Sequence, residues 1–195
     1  MEASLDPHKR FGWGVPPSSK GDYAFVLHML HSLAENGRMG VVLPHGVLFR
    51  GASEAKIRQQ ILEMNLLDAV IGLPENLFFG TGIPAVVLVF KKNRRCRDVL
   101  FIDASGEGNY EKGKNQNKLR EEDLVRITTL YECYTNEDKY SYVASFEEIK
   151  ENDFNLNIPR YVDTFEEEEP VDMDAVKETI RTIKKELAEV EAEMD

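Results

Sequence analysis

No apolar run in these 195 residues approaches the ~18 that a membrane-crossing helix needs. Cysteine is nearly absent. Cys96 and Cys133 have no metal-ligand spacing and are too few for a disulfide framework, which fits reduced thiols. The leading Met1-Glu2-Ala3-Ser4 has neither the basic nor the apolar stretch of a secretory signal, so a cytoplasmic protein is expected. Net charge of one sign is missing from the body: residues 1–146 carry 18 acidic and 18 basic side chains. Residues 147–195 carry 17 acidic and 6 basic, which is the whole of the net −11. The acidic balance therefore describes a tail and does not exclude a nucleic-acid partner for the body.

Phosphate-binding glycine loops are missing as well. Gly80-Thr81-Gly82 has two glycines, lacks a third and precedes a strand, so it fails the dinucleotide fingerprint. There is no Walker A or HExxH motif. His28 and His31 share a helix face, but no acid or cysteine completes a ligand set, so no metal site is expected.

What is present alternates in period. Residues 1–19, with Pro7, Pro16, Pro17, Gly12 and Gly14, read as an irregular leading loop. Tyr23, Val26, Leu27, Leu30 and Leu33 mark a helix over 21–35, with Ser19 and Asp22 resembling a capping box. Residues 39–43 read as a buried parallel strand, and Ser53 as the cap of a helix running to Met64. Further strands are expected at 67–73, 84–90 and 99–102, which implies an α/β sheet with an antiparallel edge. A loop over 103–120 precedes a helix over 121–134, with Leu124, Ile127, Tyr131 and Tyr134 on one stripe. A short strand at 140–144 and a mostly irregular stretch over 145–170 follow.

The tail holds the most regular pattern. Met173, Val176, Ile180, Ile183, Leu187, Val190 and Met194 alternate spacings of three and four, a heptad seam that calls for a partner helix.

Several ordered segments carry a family resemblance. They include Gly21-Asp22-Tyr23-Ala24-Phe25-Val26, Asn36-Gly37-Arg38-Met39-Gly40-Val41-Val42-Leu43-Pro44, Val47-Leu48-Phe49-Arg50-Gly51 and Ile57-Arg58. Val70-Ile71-Gly72-Leu73-Pro74-Glu75-Asn76-Leu77-Phe78-Phe79-Gly80-Thr81-Gly82-Ile83-Pro84 and Phe101-Ile102-Asp103-Ala104-Ser105 continue the series. Asp6-Pro7, Arg10-Phe11 and the 152–162 stretch from Asn152-Asp153-Phe154 to Arg160-Tyr161-Val162 complete it. In that order the chain resembles the modification (M) subunit of type I restriction-modification systems, an adenine-N6 DNA methyltransferase family.

The resemblance implies the C-terminal part of a Rossmann-like methyltransferase sheet with flanking helices, over residues 1–104. A loop-and-helix extension over 105–170 and a long coiled-coil-type assembly helix over 171–195 would follow. It implies methyl transfer from S-adenosylmethionine to adenine N6 in DNA, with the specificity (S) and restriction (R) subunits as partners. The family's glycine-rich cofactor motif and its Asn-Pro-Pro-Phe motif are not in these residues; Val15-Pro16-Pro17-Ser18 lacks the Asn and the aromatic. The segment alone is therefore expected to be inactive, with no catalytic residue and no bound cofactor of its own. The alternative is a non-catalytic assembly module that binds partners through its C-terminal helix.

By the same resemblance, Phe78 and Phe79 are the candidates to meet an extruded adenine, the other reading being that both anchor their loop in the core. Lys91, Lys92, Arg94 and Arg95 in one turn, and Lys112 and Lys114 in the next loop, are candidates for DNA phosphate, with solvated turns as the alternative. The strand at 39–43 would lack a neighbour on one side, and with the tail seam this leads to an expectation of self-association.

Overall fold

The computed structural model describes residues 6–164 together with Ile180, Ile183 and Lys184. The chain divides into a unit ending at Thr164 and a second beginning at Phe165. In the first unit, strands β1 (Arg38–Pro44), β2 (Leu67–Gly72), β3 (Ala85–Lys91), β4 (Val99–Asp103) and β5 (Ser141–Ala144) form one sheet in the order β1-β3-β2-β4-β5. Every residue of β2 and β4 is buried, as their near-continuous apolar sequences require of strands covered on both faces. These two form a parallel pair; β3 runs antiparallel to both β1 and β2, and β5 antiparallel to β4.

The expected antiparallel edge is present, since the edge strand β5 runs antiparallel to β4 and the edge strand β1 antiparallel to β3. β3 is itself interior, because the β2–β3 connection turns straight back while the chain from β1 crosses over through a helix to β2. The sheet corrects the expectation of a buried parallel strand over residues 39–43. β1 is only half-buried: Met39, Val41 and Leu43 lean on the core, while Arg38, Gly40, Val42 and Pro44 face outward, with Val42 50 % exposed. It is an edge strand whose sole strand neighbour among the described residues is β3, to which it runs antiparallel.

Helices α1 (Asp22–Ser32) and α2 (Ala52–Glu63) cover one face through Tyr23, Val26, Leu27, Leu30, Ile57, Ile61 and Leu62. Helix α3 (Glu121–Cys133) covers the other with Ile127 and Leu130. Neither expected cap forms. Gly21 and Gly51 occupy the cap positions without side-chain bonds, and Asp22 instead accepts from Arg50 Nη1 at 2.8 Å. Leu124 is exposed, and Leu130 takes its place on the inward stripe. The stretch after β5 contains a short helix, α4 (Phe146–Glu151), whose Ser145 side chain accepts from the Glu148 N–H. The 154–162 segment docks on the α1/α2 side with Leu156, Ile158, Tyr161 and Val162 buried, and Tyr161 stacks on Phe101 at 4.0 Å between ring centres.

Of the tail seam, Ile180 and Ile183 are helical and exposed. Met173, Val176, Leu187, Val190 and Met194 lie outside the described residues.

Candidate nucleic-acid interface

β1, β2 and β4 run in one direction, so their carboxyl ends meet along one edge of the sheet. Ligand sites of open α/β sheets form at such edges. A cavity of about 90 Å³ opens there, lined by His45, Gly72, Pro84, Asp103, Ser105 and Ile158 among others. The Asp103 carboxylate is buried and accepts from the Ser105 N–H at 3.0 Å and from its Oγ at 2.5 Å. His45 begins the single 3-10 turn after β1, and burial pushes its imidazole below its ordinary pKa, against the opposing pull of Asp103. Gly72 lets Ile158 close over the cavity: a Cβ there would lie 2.7 Å from Ile158 Cδ1 and push that side chain aside.

The loop 73–84 rises from this edge between β2 and β3. Its two aromatics are presented outward: Phe78 is 41 % and Phe79 is 92 % exposed, so neither anchors the loop in the core. Leu77 does that, packing against the α3-side cluster. Gly80 takes φ +78° at the tip, which glycine adopts without a side-chain clash.

A second loop approaches the first. Residues 111–118 close a small hairpin, with Glu111 and Lys118 exchanging backbone bonds of 2.8 and 2.9 Å. Its Asn117 reaches the neighbouring loop, and exposed Lys112 and Lys114 stand on the same hairpin. Lys91, Lys92, Arg94 and Arg95 lie at the other end of β3, which spans seven residues, or roughly 20 Å of strand. The hairpin that carries Lys112 and Lys114 is therefore bonded to the loop that carries Phe78 and Phe79, whereas the β3–β4 turn lies at the opposite end of β3.

Arg94 is removed from the phosphate candidates. Its side chain is 4 % exposed and pairs with Asp68 at 2.6 Å while donating to Asn65 and to the carbonyls of Leu67 and Asp98. Lys92 donates to the Leu33 carbonyl at 2.5 Å, and Arg95 remains exposed. Sequence reading missed Asn117 and the Asp103–Ser105 pair. A lone Asn in a polar loop carries no signal, whereas Asp103-Ala104-Ser105 was within a resembling segment.

The carboxyl-edge residues do not fit S-adenosylmethionine by themselves. The cavity of about 90 Å³ is far below the ~300 Å³ at which pockets for ligands of that size begin. No glycine-rich strand–helix turn accompanies it.

At the carboxyl edge of this mixed sheet an exposed aromatic tip is thus hydrogen-bonded, through the chain below it, to a lysine-bearing hairpin. Residues 2–170 match the N-6 DNA methylase family, and the chain belongs to that family. It is 39 % identical over 183 residues to the MjaVII type I restriction enzyme methylase subunit of Methanocaldococcus jannaschii, covering 91 % of this chain and 31 % of that protein. It is 34 % identical over 170 residues to the MpnII methylase subunit of Mycoplasma pneumoniae, covering 87 % and 31 %. The crystal structure of a type I restriction-modification methyltransferase subunit from Streptococcus thermophilus superposes with a TM-score of 0.77 at 54 % identity, covering 82 % of this chain and 34 % of that one. The chain thus spans about a third of the length of these relatives.

Proposed function

We propose that this chain is the target-base side of a type I modification subunit that transfers methyl from S-adenosylmethionine to adenine N6 in DNA. In this reading Phe79, with Phe78 beside it, stacks on the extruded adenine, and Lys112 and Lys114 neutralise nearby backbone phosphates. The cofactor and the Asn-Pro-Pro-Phe group that would accept from the adenine amine belong to sequence other than these residues. The segment by itself then neither holds the cofactor nor transfers methyl. The specificity and restriction subunits are its partners, and the compartment is the cytoplasm.

The observation that carries this reading is Phe79, an aromatic 92 % exposed at the carboxyl edge of the sheet in an N-6 DNA methylase chain. That ring has no packing role, and its place at the carboxyl edge, where ligand sites of α/β sheets form, supports a ligand contact. The test is methylation of a duplex containing the target site by a modification subunit carrying this segment. Phe79→Ala is expected to slow methylation by about 5- to 150-fold, the equivalent of a stacking contact of roughly 1–3 kcal/mol. Wild-type rates from both Phe78→Ala and Phe79→Ala, in folded protein, would refute the assignment and favour a purely assembling role.

A further inference from the structure

The aromatic tip has almost no support of its own. Within the loop only two contacts tie it, Thr81 N–H to the Phe78 carbonyl at 3.4 Å and Ile83 N–H to Thr81 Oγ1 at 3.1 Å. Asn76, just before the tip, is held at φ +51°, a region that Asn tolerates better than most side chains. Yet three consecutive carbonyls below the aromatics are all taken by the hairpin 111–118. Asn117 Nδ2 donates to Glu75 O at 2.8 Å, the Asn117 N–H to Asn76 O at 2.9 Å, and Gln116 Nε2 to Leu77 O at 3.4 Å.

Asn117 is buried within a hairpin whose other residues from 111 to 118 are all exposed. A polar side chain withdrawn from water in an otherwise solvated loop is there for its partners. The hairpin in turn is fixed to the body. Arg120 follows it, donates to Gly108 O at 2.6 Å, and grips Asp123 in the first turn of α3. Gly113 is required inside the hairpin, because a Cβ there would fall 2.0 Å from the Gln116 carbonyl oxygen.

We propose that the hairpin 111–118 is a strap that positions the Phe78–Phe79 tip, with Asn117 as the positioning residue. Two donors on adjacent backbone and side-chain atoms of one residue clamp two successive carbonyls, which sets the path of the chain as it enters the tip. The lysines that meet phosphate and the aromatic that meets the base are then parts of one rigid bracket. The effect on methylation rests on the reading of the tip as the base contact; the clamp itself does not.

The test has two arms. In this chain, chymotrypsin cleavage after Phe78 and Phe79 reports freedom of the tip. Asn117→Ala and the isosteric Asn117→Asp, which lacks the donor, are expected to raise that cleavage about tenfold, as loss of a buried hydrogen bond would. Unchanged cleavage in folded variants overturns the strap. Should both variants unfold, native-state hydrogen exchange of the unaltered chain decides. The hydrogen-bonded amides of Thr81, Asn117 and Lys118 are expected to open as one cooperative unit, and separate opening overturns the proposal. In a modification subunit carrying this segment, Asn117→Asp should lower kcat and add nothing to Phe79→Ala, whereas full additivity overturns a positioning role. If Phe79→Ala leaves methylation intact, the base reading falls, and the cleavage arm still decides the strap.

Discussion

Arg58 lies inside the core face of α2 and gives its guanidinium to three backbone carbonyls: Nε to Phe154 at 2.8 Å, and Nη1 to Val47 and Arg50, both at 3.1 Å. It ties the turn after β1 to the segment that closes that face. Arg94 does the same for the start of β2 and the β3–β4 turn through Asp68, which also accepts from Tyr131 Oη at 2.6 Å. Burial pushes the Tyr134 hydroxyl beside them up to about 12. Tyr140 is the contrasting case. It is 2 % exposed and its hydroxyl is without a partner among the described residues, while Arg126 packs over its ring at 3.6 Å. Tyr140→Phe is therefore expected to leave the melting temperature unchanged or raise it, because an orphaned buried hydroxyl costs about 1–3 kcal/mol; a clear drop in thermal denaturation would contradict this. His45 carries the pH prediction. Its folded pKa lies below the ordinary 6.5, so the unfolded chain takes up the proton first, and stability is full above that value and falls as pH drops through it. Melting curves between about pH 7.5 and 5.5 should show a smaller loss for His45→Gln than for wild type. Equal losses would mean that this imidazole feels no burial.

Among elements, the two basic segments separate by where the sheet puts them. Both contain lysines in polar turns, but one leads into the amino-terminal end of β4 and the other follows its carboxyl end. On the proposed function, phosphate contact beside the aromatic tip would fall to Lys112 and Lys114. Lys112 has only a 3.7 Å pairing with Glu107, in which both side chains are largely in water, so it is free to exchange partners. In a modification subunit carrying this segment, Lys112→Ala with Lys114→Ala should weaken DNA binding uniformly across sequences. The slope of log affinity against log salt should fall by about 2. The same pair of changes at Lys91 and Lys92 should leave that slope nearly intact, and the reverse ranking would overturn the placement. α3 supports the hairpin side of this arrangement. Three acids in its first turn suit the helix dipole, and Arg120 beside Asp123 holds that carboxyl below its usual range.

At the scale of the molecule, the outer edge of β1 has no strand partner among the described residues and lies beside half-exposed Val42, the situation in which strands recruit another chain. The heptad seam adds exposed Ile180 and Ile183. We expect the isolated chain to self-associate at micromolar concentration, most simply as a two-fold dimer. Ile183→Asp should abolish any part of that association that runs through the seam. Sedimentation reads both: a 22.3 kDa monomer for the unaltered chain would refute the expectation. No helix among the described residues is long and apolar enough to cross a membrane.

The linear sequence alone determined the elements whose signal is local. Short apolar runs bounded by polar or turn residues specified β2, β3 and β4, and the 3- and 4-spacing of Tyr23, Val26, Leu27 and Leu30 specified α1. The helix α4 escaped that reading, in which 145–170 is mostly irregular: Ser145 with Glu148 three residues on is a capping pattern, but six residues hold too few apolar repeats to mark a helix. Ordered motifs carried the family. What only the tertiary structure decided depends on partners distant in the chain. β3 enters between β1 and β2 because strand order is set by which edges can be covered, and no local period encodes that. Arg94 and Lys112 are equally basic in sequence. One is buried against Asp68, 26 residues away, and the other stands in water, because burial is a property of the assembled sheet. Asn117 meets Glu75 across 42 residues for the same reason, since a hydrogen bond records a position in space that spacing along the chain does not contain.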